Sequence, residues 1–149
     1  MPELEELHRL AQRASLQSVA CRLLSAEAAS DPAAGTAEVE ASPTFELRIG
    51  TPDEAKPFDG FLVGVRIDAQ SNRGRAAVWY EAHYALAGEP EPVGLPLLTQ
   101  FANEVAVMVL LPYLREGLAD VTRRVWGSTL LVPMMQRGQL VFLVPSQEG

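Results

Sequence analysis

Residues 101–127, FANEVAVMVLLPYLREGLADVTRRVWG, form the longest stretch that reads as helix, and its two halves differ in character. Apolar residues at Phe101, Val105, Met108, Val109, Pro112, Leu118 and Val121 recur close to i, i+3, i+4, i+7, whereas Arg115, Glu116, Asp120, Arg123 and Arg124 gather in the second half. Across residues 105–111 almost every side chain is apolar, so that half must be covered on more than one side. A single small sheet covers one side only. Unless another part of the chain covers the rest, the segment requires a second subunit. Pro112 lacks an N–H and crowds the preceding turn, which predicts a kink between the apolar and the charged half.

Ahead of this helix the chain reads mostly as strand. Residues 2–14 place Leu4, Leu7, Ala11 and Ala14 on one face, the pattern of a short amphipathic helix serving packing or partner docking. Residues 16–28 mix helix-favouring alanines with the alternation of Val19, Cys21 and Leu23, and are taken as a strand. Residues 30–43, with two prolines and small polar residues, are expected to be a long connection. Phe45, Leu47 and Ile49 alternate with Glu46 and Arg48 as in a half-buried strand. Residues 61–69 set Phe61, Val63, Val65 and Ile67 on one face, and SNRG at 71–74 makes a hairpin. The returning strand, 76–86, points Val78, Tyr80, Ala82, Tyr84 and Leu86 inward and Trp79, Glu81 and His83 outward. Residues 87–96, AGEPEPVGLP, are read as irregular, Gly127 as a left-handed helix cap, and 139–144 as a short helix or strand. The resulting plan is α+β: a four-stranded antiparallel sheet covered on one face by a long helix in the C-terminal half. One domain at 15–144 is expected, with a short N-terminal helix or tail at 1–14 and a disordered tail at 145–149.

The 149 residues suffice for one core, and 48% hydrophobic with 21% charged residues is ordinary for a globular chain. A net charge of -7 argues against a nucleic-acid partner, since phosphate binding needs clustered Lys and Arg. Cys21 is the only cysteine, which fits a reducing compartment. The acidic start MPELEEL is unlike a signal peptide, and Glu104 and Pro112 interrupt the longest apolar run, so a cytoplasmic protein without membrane insertion is expected. No catalytic constellation, metal site or cofactor loop stands out. His8 and His83 lie in different elements, and Gly60, Gly64 and Gly74 do not precede a helix. What remains is apolar surface beyond what one protomer can bury, which indicates association or binding.

The segment Leu111-Pro112-Tyr113-Leu114-Arg115-Glu116, followed by Trp126-Gly127 and Leu131-Val132-Pro133, resembles the SecB export chaperones and their SecB-like relatives. Those proteins carry a Phe-Pro-Tyr-Ala-Arg-Glu segment in a long helix before a short return, and the likeness extends over roughly residues 16–142. The resemblance implies a homotetramer, a dimer of dimers, with Phe101, Val105, Met108, Val109 and Pro112 between dimers. It also implies an ATP-independent holdase for unfolded or precursor polypeptides, with Phe45, Leu47, Ile49 and Val78 in client-binding grooves. Glu27 and Glu81 match two acids that dock the SecA motor in SecB itself, while Leu23 stands where a third would be. The loop at 30–43 lacks the aromatic that often grips clients, and little chain follows Phe142. These departures favour a dedicated client, such as an antitoxin in a toxin-antitoxin system, over general export. Two other classes are a hot-dog-type small enzyme, in which Glu104 would be the catalytic acid, and a structural adaptor that binds one folded partner.

Overall fold

The computed structural model describes residues 2–30, 41–131 and 140–143. Helix α1 (Pro2–Arg13) runs directly into strand β1 (Ala14–Ala28), followed by β2 (Ala41–Gly50), β3 (Gly60–Ser71) and β4 (Gly74–Leu86). A long helical segment follows: α2 (Leu95–Phe101), one π-helical stretch (Ala102–Ala106) and α3 (Val107–Trp126). The strands make one antiparallel sheet in the order β1-β4-β3-β2. Helix α3 lies over β4 and β1, α2 reaches β2, and α1 packs against α2 and β1, all on one side. The α+β plan and the helix-covered sheet are those the sequence predicted.

The alternation in β3 explains the layer. Phe61, Val63, Val65, Ile67 and Ala69 are all buried, and each large apolar side chain so covered contributes about 1.5–3 kcal/mol. Their β4 neighbours Val78, Ala82, Tyr84 and Leu86 are buried too, and meet Leu98, Phe101, Val107, Leu110, Leu114 and Leu118 from the helix. Phe61 and Tyr84 stack at 5.3 Å, and Phe101 sets its ring edge-on to both, at 5.4 and 5.0 Å, a favoured geometry for aromatic quadrupoles. Gly74, at φ 145, closes the β3–β4 hairpin where a Cβ would run into the Glu27 carbonyl oxygen. Gly127 ends α3 at φ 76, the left-handed cap the sequence called for.

Several boundaries differ from expectation. The helix begins at Leu95, not at residue 101, because Pro96 falls in the first turn, where its missing N–H costs no hydrogen bond. The π-helical stretch, in which the Val107 N–H reaches back to the Ala102 carbonyl, was not foreseen. Residues 41–43, read as loop, pair with residues 69–71 in β2. Residues 140–143, expected to be helix or strand, are irregular; their backbone is held by a side chain rather than a strand. Val132, Pro133 and the tail at 145–149 lie outside the described residues. Leu95–Trp126 is long and apolar enough to span a membrane by length and composition, yet half of its apolar window is buried in the protomer.

Candidate functional site

The two faces of the sheet carry different chemistry. On the inner face, β1 and β4 bring Cys21, Leu24, Val78 and Tyr80 under α3. Gly117 lets that helix come close: a Cβ there would stand 2.8 Å from Tyr80 Oη and 3.0 Å from Leu24 Cδ2. Beside this contact Tyr80 meets Tyr113 at 5.9 Å between ring centroids. Tyr80, Pro112, Tyr113 and Glu116 line a groove of about 360 Å³. Burial, then hydrogen bonding with Cys21 and the negative charges nearby, pushes the Tyr80 phenol up to about 12, so it stays neutral. Around the same turn of α3 lies a second depression of about 380 Å³, walled by Pro112, Arg115, Glu116, Ala119, Asp120, Arg123 and Leu131. There Asp120 accepts from Arg124 Nε at 2.9 Å and Arg123 Nη2 at 3.0 Å. The Arg124 hydrogen bond above all holds the Asp120 carboxyl below its usual range. One flank of α3 therefore offers aromatic, apolar surface and the other a charged rim.

On the outer face Trp79 lies between two guanidinium groups, with Arg48 at 4.3 Å and Arg22 at 5.9 Å from the ring. Gly64 leaves room for the indole, since a Cβ at that position would sit 3.0 Å from Trp79 Nε1. Next to it Glu81 is only 6% exposed, 3.7 Å from Arg22 Nε and 3.3 Å from His83 Nε2. Arg66 and Asp68 pair along β3 at 2.8 Å, and this bond keeps the Asp68 carboxyl low.

The residues singled out in sequence fall as follows. Phe45, Leu47 and Ile49 share the inner face of β2, with Leu47 buried and the other two half-buried against the core. Val78 is fully buried within the protomer. Glu27 is exposed near the end of β1 and pairs with Arg75, while Glu81 pairs with Ala20. Their β4 positions, 75 and 81, lie six residues apart, about 20 Å of strand, so the fold does not bring these two acids together. Phe101 belongs to the protomer's aromatic core; Val105, Met108 and Val109 are half-buried, and Pro112 is exposed. Glu104 is exposed on the π-helical stretch. Tyr113 is 47% exposed and forms a wall of the groove. Asn103 was passed over, although a neutral polar residue in an otherwise apolar half-helix is itself a signal.

The fold is the SecB-like fold. The SecB-like chaperone Rv1957 of Mycobacterium tuberculosis, solved in complex with a ChAD peptide from the Rv1956 HigA1 antitoxin, superposes with a TM-score of 0.71 over 91% of this chain and 99% of that one. The two sequences are 23% identical. A protein of unknown function from Streptococcus agalactiae aligns over 81% of this chain and 97% of its own at 13% identity, with a TM-score of 0.39. No family model and no curated protein matches the sequence.

Proposed function

We propose that this chain is a chaperone of the holdase type, which binds extended or unfolded polypeptide in the apolar groove beside α3 and keeps it from aggregating. It acts without nucleotide and serves a dedicated client, an antitoxin being the leading class. The observation that carries this reading is the Tyr80–Tyr113 groove, aromatic with Glu116 as its one acid, placed on a SecB-like fold whose solved example holds an antitoxin peptide. Aromatic walls suit such work because they bury much area against varied side chains at little entropic cost. Half-buried Phe45 and Ile49 on β2, at the other edge of the sheet, are a second apolar surface for a client. A docking role for Glu27 and Glu81 toward a SecA-like motor draws less support, since Glu81 is buried and ion-paired.

The same reading includes assembly as a dimer of dimers. Leu16 and Leu24 are exposed on the edge strand β1 and Val125 on α3, which leaves apolar surface for partners beyond the residues that line the groove. A cytoplasmic setting fits the exposed, unpaired Cys21. The test is aggregation of a thermally unfolded protein, followed by light scattering with the purified chain at equal subunit ratio. Suppression is expected, and Tyr113→Asp should weaken it severalfold while leaving the far-ultraviolet dichroism unchanged. Absence of any suppression by the wild-type chain would refute the holdase reading.

A further inference from the structure

Asn103 stands at the π-helical stretch of the long helix, and its carboxamide engages both backbone groups of one distant residue. The Phe142 N–H donates to Asn103 Oδ1 at 2.7 Å, and Asn103 Nδ2 donates to the Phe142 carbonyl at 2.9 Å. Two such bonds to a single residue are what a hydrogen-bonded pair in an antiparallel ladder supplies. Here a helix side chain stands in for the neighbouring strand. The segment it holds is extended in pattern: Leu140 and Phe142 pack against the core, while Val141 and Leu143 face solvent. The contact reads main chain with the amide and apolar side chains, two residues apart, with the core, so it is indifferent to the rest of the sequence. Single-turn π-helical insertions are frequent at functional sites, and this one lies where the clasp is made.

We infer that the Asn103 clasp is a reader of extended apolar peptide, and that residues 140–143 are its resting occupant, which a client segment of the same chemistry displaces. This rests on the holdase reading and names a second contact point for the client, apart from the Tyr80–Tyr113 groove. An internal occupant lowers apparent affinity by the fraction of molecules in which it is seated. Weakening the occupant therefore tightens client binding, and removing the clasp weakens it.

The experiment is a fluorescence-anisotropy titration of labelled lactalbumin, reduced and carboxymethylated so that it stays unfolded, against the full chain. Phe142→Ala is expected to bind about 3- to 10-fold tighter than wild type, as the cis occupant is lost. Adding Asn103→Ala to Phe142→Ala should then weaken binding about tenfold, since two hydrogen bonds to the client go. Hydrogen exchange on the wild-type chain provides a readout that needs no variant: saturating lactalbumin should speed exchange at the Phe142 amide. Unchanged protection at that amide, no tightening in Phe142→Ala, or a neutral Asn103→Ala in that background overturns the inference while wild-type binding leaves the holdase reading standing. No binding by the wild-type chain overturns both.

Discussion

Tyr80 joins the sheet, the helix and the groove in one side chain. Its hydroxyl sits against Gly117 and hydrogen bonds with Cys21, its ring faces Tyr113, and burial holds the phenol at about 12. The sign of the pH effect follows. Below about pH 10 the phenol is protonated in both folded and unfolded chains, and its contribution to stability is present in full. Between about 10 and 12 the unfolded chain releases the proton while the folded chain keeps it, so stability falls as pH rises. Tyr80→Phe has no proton to lose. Its urea midpoint should decline less than that of wild type between about pH 9 and 11, although Tyr84, also raised by burial, preserves part of the slope. Parallel declines in the two proteins would show that Tyr80 is not buried in the neutral form. At neutral pH the same phenol is an uncharged, aromatic wall, which is the state a groove for apolar chain requires.

At the level of elements, the last turns of α3 show how the helix is fixed over β1. The Thr122 hydroxyl donates to the Leu118 carbonyl at 2.7 Å and accepts the Leu130 N–H at 2.9 Å, while Trp126 Nε1 donates to the Glu27 carbonyl at 3.0 Å. Thr122→Val keeps the shape but leaves the Leu130 N–H without its acceptor, and should cost about 1–3 kcal/mol by urea denaturation. Thr122→Ser keeps the hydroxyl and should cost less. The reverse order would mean that the methyl, not the hydroxyl, is what matters there. Strands β3 and β4 were legible in the sequence because their apolar residues keep strict period two. Strand β1 was ambiguous for a physical reason: pairing slips at Gln17 and Arg22, so its inward residues are Leu16, Val19, Cys21, Leu24 and Ala26. That spacing alternates three and two and imitates a helix. The start of the long helix was hidden in a Leu-Pro dipeptide that also suits a loop. The groove was half legible, through the Pro112-Tyr113 motif, whereas the Asn103 clasp was not, because its partner lies thirty-nine residues away.

For the whole molecule the open question is what covers β1. It is a fifteen-residue edge strand with one side unpaired among the described residues, carrying Leu16 and Leu24, each 45% exposed. Long edges with apolar side chains are hazards that folded proteins cover, charge or bend away. The two irregularities in β1 add twist, but no lysine guards this edge, since Lys56 is the only one in the chain. In the proposed dimer of dimers, β1 is covered by a second copy. Leu24→Lys should then lower the native mass by at least half, by multi-angle light scattering, while dichroism reports unchanged secondary structure. Cys21 gives a second reading of the same interface, because its thiol is exposed in the single protomer and stands next to the pairing slip at Arg22. Covered by a partner strand, it should react slowly with a thiol reagent in the wild-type chain and at least severalfold faster in Leu24→Lys. A wild-type thiol that reacts at the rate of free cysteine, in a chain whose mass Leu24→Lys does not change, would move the assembly contact off β1 and leave α3, with Val125, as the surface where copies meet.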